Sequence, residues 1–218
     1  MKQSGSVDQQ YAYSPYSHIP QRGGDSQRYR SLVARITIAL EKIASRSVAV
    51  SELYSHPYRD VVAKEITLAG IRSGEHVLNI GCGSVPFTAI HLARQAGVKV
   101  TALDCDPAAV RCARDCISRL HLQDSINIVL ADAALDIPTG FDAAIVALQA
   151  NPKEEILKKL RETGGDTSRY VFRSPSPSFK NRYDALPESV RFDAWIDQNM
   201  KTFNKSLLYM GSNRRQNT

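Results

Sequence analysis

The chain has 218 residues, of which 43% are hydrophobic and 23% charged, a composition that suits one folded domain and excludes global disorder. Its apolar runs fall far short of the ~20 residues of a transmembrane helix, and the N-terminus lacks a hydrophobic signal core, so neither a membrane contact nor export is expected. The net charge of +6 is modest, which favours solvated surface over a nucleic-acid partner. The four cysteines are then expected to be reduced thiols in the cytoplasm.

The first 70 residues divide into two predicted segments. Residues 1–27 are polar and rich in Gly, Pro and Ser, which predicts a flexible arm. Residues 28–70 are predicted to be helical, because the apolar side chains of YRSLVARITIALEKIASR recur at helical spacing. A second helix is expected from Tyr58 to Ala69, after a break at His56-Pro57. At the other end of the chain, residues 211–218 form a basic tail.

Strands and helices alternate through residues 71–210. The predicted strands are HVLNI, VKVTALD, INIVLA, FDAAIVAL, RYVFRS and TFNKSLLYM, and the predicted helices are PFTAIHLARQA, PAAVRCARDCISRL and NPKEEILKKLRE. Asp106 is expected to cap the second of these helices and Asn151 the third, each with a proline directly behind it. The alternation indicates an α/β fold with a mainly parallel sheet and helices on both faces.

Three loops at the carboxyl ends of these strands contain ligand-binding chemistry. Gly81-Cys82-Gly83 allows the backbone to approach a ligand closely. Asp104 ends the next strand, where a carboxylate accepts hydrogen bonds from two ribose hydroxyls. Asp132 follows the third strand and is expected to bind an adenine amino group, with Ala133 packed beside the ring. The order and spacing of these loops predict a nucleoside site.

Pro86 indicates which nucleoside binds. It stands where the third glycine of G-x-G-x-x-G permits tight helix packing under a pyrophosphate. A proline suits the first turn of a helix, and a ligand without phosphates needs less of that helix end. S-adenosylmethionine is such a ligand. The order "VLxIGCG … LDxDP … ADA … FDAAIV" also resembles the Rossmann-like class I S-adenosylmethionine-dependent methyltransferase fold over residues 76–147.

The loop "GCGSVPFTAI" resembles that of nicotianamine synthases, G-x-G-P-[LIM]-P-[LF]-T-x-I, with Ser84 in place of the first proline. "YVFRSPSPSFKNRYDALP" is similar to that family's strand ending in Arg-Ser, and "TFNKSLLYM" to its closing strand; the resemblance covers roughly residues 57–210. Two features depart from these families. Asn79 stands where methyltransferases carry an acid and the synthases an apolar residue, and the N-terminal helical part is shorter than in plant members.

The resemblance implies a reaction in which an amine attacks the aminocarboxypropyl carbon of the sulfonium and 5′-methylthioadenosine leaves. Glu65 is then the candidate proton acceptor, with a solvated helix glutamate as the alternative. Tyr183 is the candidate to orient the amine or the carboxylate tail, or else a packing tyrosine. Arg173 and Ser174 are candidates to bind a substrate carboxylate, and a structural ion pair of Arg173 is the alternative.

Three functions remain open at this point: a nicotianamine-synthase-like transferase that makes a metal chelator from a small amine or amino acid, an ordinary methyltransferase, and a non-catalytic S-adenosylmethionine-binding module. The choice between the first two depends on which carbon of the sulfonium lies nearest the nucleophile. No metal site of the protein itself is expected. Cys112 and Cys116 lie four residues apart on one helix, and buried free thiols explain them better than metal ligands do.

Overall fold

The computed structural model describes the backbone of residues 48–211 and the side chains from residue 58 onward. The predicted arm (1–27), the first part of the predicted helical segment (28–47) and residues 212–218 of the predicted tail lie outside this range. The helices are α1 (Val48–Ala69), α2 (Phe87–Ala96), α3 (Pro107–Arg119) and α4 (Lys153–Thr163), and a short 3₁₀ turn spans Pro177–Phe179. The strands are β1 (His76–Ile80), β2 (Lys99–Asp104), β3 (Ile126–Leu130), β4 (Ala143–Val146), β5 (Arg169–Pro175), β6 (Ala194–Asp197) and β7 (Phe203–Met210).

The seven strands form one sheet in the order β3-β2-β1-β4-β5-β7-β6. The first five in this order are parallel, whereas β7 runs antiparallel to both of its neighbours. The chain moves outward from β1 through β2 to β3 and then returns to place β4 on the other side of β1. This reversal makes the carboxyl ends of β1 and β4 the switch point, where α/β sheets bind their ligands. The predicted Rossmann-like α/β fold is confirmed.

Apolar side chains cover both faces of the sheet, because successive residues of a strand point to opposite sides. Val77 of β1 packs in a core with α1, α2 and α3, whereas its neighbour Leu78 packs in a second core with α4. Apolar residues therefore stand at successive positions of β1, β4 and β5, which is typical of a sheet buried on both faces. Helices on both faces were predicted, and the two cores confirm them.

The cap predicted for α3 is confirmed, and the one predicted for α4 is wrong. The Asp106 carboxylate accepts a hydrogen bond from the Ala108 backbone N–H at 2.8 Å, as an N-cap residue does. Asn151 instead donates its side-chain amide to the carbonyl of Gln149 at 3.0 Å and makes no cap bond. A distant carboxylate, that of Asp184, binds the first backbone N–H of α4, so a local cap is not required.

Two further elements differ from the prediction. Helix α1 begins at Val48 and continues through Pro57, although a proline removes one hydrogen bond from a helix interior. The burial of Val61, Val62 and Ala69 against the sheet compensates for that loss. Strand β6 was not predicted, because its four residues alternate only between half-buried and exposed positions.

Within residues 48–211, no helix has the length and apolar character needed to cross a membrane.

Candidate functional site

The glycine loop follows β1 at the switch point. Gly81 and Gly83 have φ angles of +77° and +67°, which side chains with a Cβ rarely adopt. A Cβ on Gly81 would lie 3.3 Å from the Ala147 Cβ, so the loop passes tightly against the end of β4. The backbone N–H groups of Gly81 and Cys82 both donate to the Leu103 carbonyl, at 2.8 and 3.0 Å. The loop is thus fixed between β2 and β4.

Asp104 lies at the end of β2, beside this loop. Its Oδ2 accepts a hydrogen bond from the Gly83 N–H at 2.7 Å, and its Oδ1 accepts one from the Asp106 N–H at 3.0 Å. Burial raises the pKa of Asp104, and these backbone bonds partly oppose that rise. Each carboxylate oxygen keeps a second acceptor site, so Asp104 can both order the loop and accept ribose hydroxyls.

Asp132 and Ala133 follow β3, the neighbour of β2 in the sheet. Asp132 is exposed, and its Oδ1 accepts a hydrogen bond from the Ala134 N–H at 2.9 Å. Ala133 is buried in the core that contains Leu78 and α4. The fold thus brings all three predicted cofactor loops to one edge of the sheet, while their contacts with a nucleoside stay a prediction.

Cys82 is the middle residue of the glycine loop and is buried. Burial, together with the nearby Asp104 carboxylate, raises the pKa of its thiol to about 12. All four cysteines are free; Cys105 is exposed, and Cys112 and Cys116 are partly buried rather than fully buried as expected. Within residues 48–211, no three His, Cys, Asp or Glu side chains are grouped as metal ligands.

Glu65 and Arg173 form a buried ion pair next to the glycine loop. Arg173 donates from Nε and Nη2 to the two carboxylate oxygens of Glu65, both at 2.8 Å. The Ser206 hydroxyl donates to Glu65 Oε1 at 2.8 Å, and Arg173 Nη2 also donates to the Thr88 hydroxyl at 3.0 Å. The solvated-glutamate alternative is therefore wrong, since Glu65 is 0% exposed. For Arg173, the structural ion pair is the arrangement found.

Aromatic rings enclose the Arg173 guanidinium. Its Cζ lies 5.7 Å from the Tyr58 ring centroid and 5.4 Å from that of Phe203, distances typical of cation–π contacts. Tyr58 in turn stacks on Phe87, the first residue of α2. These contacts tie α1, the start of α2 and β5 together at the ligand end of the sheet.

Tyr183 lies in the β5–β6 connection (residues 176–193). It is partly buried and packs against a small apolar cluster of Val61, Leu148 and Phe203. Its ring also stacks on Phe179, with 6.4 Å between centroids. Because Leu148 follows β4 and Phe203 begins β7, Tyr183 lies near the ligand edge of the sheet. Its surroundings are those of a packing tyrosine.

Ser174 precedes the last residue of β5. It is partly buried and is paired in register with Lys205 of β7. The carboxylate-binding role predicted for Ser174 stays a prediction.

Two buried polar residues near the ligand edge of the sheet were not predicted from the sequence. Ser206 completes the Glu65 network, and its register position opposite Arg173 becomes visible only once β5 and β7 are paired. Lys153 is buried at the start of α4, where its ammonium binds backbone carbonyls. The Asn-Pro-Lys sequence reads as an ordinary helix start, so no signal in it singles out the lysine.

The residues present fit S-adenosylmethionine. The glycine loop exposes backbone at Gly81 and Gly83, both with positive φ, and Asp104 keeps acceptor capacity beside it. Asn79 of β1 is 1% exposed; its Nδ2 makes a long 3.4 Å bond to the Ile145 carbonyl, and its Oδ1 has no partner. A buried amide oxygen without a partner costs free energy unless a donor reaches it. The amino group of a bound ligand is such a donor.

Comparison with known proteins places this fold in a family. The model of the ribosomal protein L11 methyltransferase (PrmA) family matches residues 60–170, half of the chain. The chain belongs to this methyltransferase family. The match covers the glycine loop, Asp104, Asp132 and Ala133. S-adenosylmethionine, the predicted cofactor, is the one that the PrmA family uses.

The chain is also similar to two curated enzymes that are named as transferases of a larger group than methyl. The chain is 33% identical over 121 residues to an L-histidine 2-aminobutanoyltransferase of Yersinia pestis, covering 55% of the chain and 45% of that protein. A protein of the same name from Pseudomonas aeruginosa is 26% identical over 132 residues, covering 60% of the chain and 50% of that protein. The chain therefore spans about half the length of the curated relatives it matches.

A solved structure resembles the fold over a longer range. The nicotianamine synthase MtNAS, in a crystal structure with MTA and tNA, superposes with a TM-score of 0.70. The alignment covers 84% of this chain and 74% of MtNAS at 22% identity. At this identity the likeness shows that the two proteins share the methyltransferase fold.

Proposed function

We propose that the chain transfers an aminocarboxypropyl group from S-adenosylmethionine to the amine of a small molecule, with L-histidine as the first acceptor to test. The similarity to two L-histidine 2-aminobutanoyltransferases carries this proposal. Pro86 in the glycine loop and the Arg173-Ser174 pair at the end of β5 support it, because both are shared with the nicotianamine synthase pattern.

When bound, S-adenosylmethionine supplies an activated carbon. The acceptor nitrogen bonds to this carbon as the carbon–sulfur bond breaks. The electron pair of the broken bond stays on sulfur, and 5′-methylthioadenosine leaves. The chain selects this carbon over the methyl group by placement, since the carbon held at near-attack distance reacts. Gly81 and Gly83 allow the backbone to approach the ligand, and Asp104 is proposed to hold the ribose. Asp132 and Ala133 are proposed to hold the adenine.

The acceptor amine attacks in its neutral form, and the proton that it releases as the new bond forms passes to water. Tyr183, packed at the ligand edge, is the proposed residue that orients this amine. Glu65 was predicted as the proton acceptor, but its two oxygens already accept three short hydrogen bonds from Arg173 and Ser206. Protonating Glu65 would break this pair and leave the buried Arg173 guanidinium without its counter-ion. We therefore assign Glu65 and Arg173 a positioning role, in which they fix α1 against the end of β5.

We further propose that the product chelates metal ions and that it forms in the cytoplasm. The transferred group carries an amine and a carboxylate, and an amino-acid acceptor contributes further nitrogen and oxygen ligands of the kind that bind first-row transition metals. The four free thiols agree with a reducing compartment. The substrate is a small molecule in this proposal, and no nucleic acid takes part.

Methyl transfer is the second candidate, and the PrmA family match favours it. The two reactions leave different nucleosides, so the nucleoside records which carbon was attacked. The test incubates the protein with S-adenosylmethionine and L-histidine and measures both products by mass spectrometry, with the cofactor-site variant Asp104→Ala as control. We expect 5′-methylthioadenosine above background, histidine heavier by one aminocarboxypropyl group, and much less of either product with Asp104→Ala. S-adenosylhomocysteine as the main product would instead establish a methyltransferase.

A further inference from the structure

Lys153 is a buried cation that none of the proposed chemistry uses. It is the first residue of α4 and is 1% exposed. Its ammonium donates to three backbone carbonyls, those of Leu148 at 2.8 Å and of Ala150 and Asp184 at 2.9 Å. Three N–H groups thus meet three acceptors, which satisfies the ammonium fully.

These acceptors belong to two segments far apart in sequence. Leu148 and Ala150 lie in the β4–α4 loop (residues 147–152), which leaves the sheet at the switch point, whereas Asp184 lies in the β5–β6 connection. The backbone N–H of Lys153 also donates to Asp184 Oδ2 at 2.6 Å. One residue therefore joins the two segments through its side chain and its main chain together.

This arrangement is unfavourable for a cation. The first turn of a helix carries the positive end of the helix dipole, which repels an ammonium. Burial lowers the pKa of Lys153 to about 8, and the attraction of Asp184 only partly opposes that effect. An apolar side chain of similar length would avoid the lost hydration of the charge but would leave three backbone carbonyls without this donor. Packing alone is therefore a poor explanation for a lysine here.

The position of the joined segments gives a better explanation. Tyr183 directly precedes Asp184 and packs against the apolar cluster that contains Leu148. Of the residues that Lys153 binds, Asp184 is thus the chain neighbour of Tyr183, and Leu148 belongs to its packing surface. Phe203 of the same cluster contacts the Arg173 guanidinium. A contact that fixes Asp184 relative to Leu148 thereby fixes Tyr183 relative to the ligand edge of the sheet.

We propose that Lys153 is a positioning residue, whose ammonium ties the β5–β6 connection to the β4–α4 loop and so holds Tyr183 at the wall of the acceptor site. The acceptor part of this inference rests on the proposed function. The ordering of the connection does not, because it follows from the contacts of Lys153 alone.

The first test measures this ordering without any substrate. Lys153→Met is compared with Lys158→Met, the same change at an exposed position of α4, by hydrogen–deuterium exchange over residues 176–193. We expect amide exchange in this segment to rise at least tenfold in Lys153→Met, with the exchange of β1 and β4 unchanged, and Lys158→Met to match the wild type. Unchanged exchange in folded Lys153→Met would overturn the inference.

If Lys153→Met does not fold, Asp184→Ala serves in its place. Asp184 is exposed, and its removal deletes one of the two links to the connection while leaving the ammonium contacts intact. We expect a smaller rise in exchange confined to the same segment. The absence of any rise would again overturn the inference.

The second test separates positioning from general support. With the acceptor found for the wild type, Lys153→Met should raise the acceptor KM at least tenfold and leave the dissociation constant of S-adenosylmethionine unchanged. If Lys153→Met weakens the binding of S-adenosylmethionine as much as it raises the acceptor KM, Lys153 has a general structural role and does not position Tyr183. If no form of the protein turns over any acceptor, the proposed function fails, and the exchange result alone decides whether Lys153 orders the connection.

Discussion

Arg173 and Glu65 lie 108 residues apart in sequence and meet through two parallel hydrogen bonds of 2.8 Å, both side chains being shielded from solvent. The planar guanidinium matches the carboxylate in the geometry that makes such pairs strong and directional. The pair connects the last helix before the sheet with the strand next to the switch point, so it fixes where α1 ends relative to the ligand edge.

This pair predicts a strong coupling between two substitutions. Glu65→Gln or Arg173→Met alone leaves a buried group without its partner and should lower the free energy of unfolding by about 3–5 kcal/mol. The double variant removes both charges and should lose much less than the sum of the single changes. Urea unfolding of the four proteins measures the coupling, and simple additivity would contradict it.

The same variants decide the role of Glu65 in turnover. If Glu65 only positions α1, the double variant should regain part of the activity that Glu65→Gln loses, because the unpaired arginine is gone. A proton acceptor cannot be restored in this way. If Glu65→Gln and the double variant both lose about two orders of magnitude in rate, Glu65 is the proton acceptor.

Asp104 is expected to hold the cofactor. Asp104→Ala should weaken S-adenosylmethionine binding by roughly 2–3 kcal/mol, because it removes charge-assisted hydrogen bonds to the ribose and frees the Gly83 N–H. Calorimetry measures the dissociation constant, and the exposed Asp136→Ala serves as the matched control. An unchanged constant in the folded Asp104→Ala protein would mean that the ribose binds elsewhere.

Pro86 is buried and directly precedes α2, where its carbonyl accepts a hydrogen bond from the Ile90 N–H at 3.0 Å. Pro86→Gly should lower the free energy of unfolding by about 1 kcal/mol, because glycine gives the unfolded chain more freedom. It should not create affinity for NAD, although it restores the third glycine of the dinucleotide pattern. Thermal unfolding and an NAD titration check the two parts, and micromolar NAD binding by the wild type would overturn the cofactor assignment.

Lys153 predicts a stability that rises with pH in the alkaline range. Its pKa is lowered from 10.5 to about 8, so between these values the unfolded chain binds more protons than the folded chain. The free energy of unfolding rises with pH wherever the unfolded chain binds more protons. Below about pH 8 the lysine is charged in both states, so the full cost of burying its charge is present. Relative to Lys153→Met, the wild type should gain up to about 3 kcal/mol between these pH values. A difference independent of pH would contradict the shifted pKa.

The sheet and its helices were predictable because each element has a local signature. The five parallel strands carry apolar residues at successive positions, and Asp106-Pro107 marks the start of a helix by itself. The cap of α4 was not predictable, because the carboxylate that binds its first N–H comes from Asp184, 31 residues away. The Glu65–Arg173 pair likewise depends on strand order, which fixes the neighbours of β5 only after the whole sheet has formed. The residue types at the site were thus readable from the sequence, but their partners were not.

A protein that binds an alkylating agent must keep its own nucleophiles from reacting. Cys82 lies in the loop proposed to touch the sulfonium compound, and thiolates are the most reactive nucleophiles among ordinary side chains. With its pKa raised to about 12, this sulfur stays protonated near neutral pH and is a poor nucleophile. The burial that packs the loop thus also protects it from self-modification.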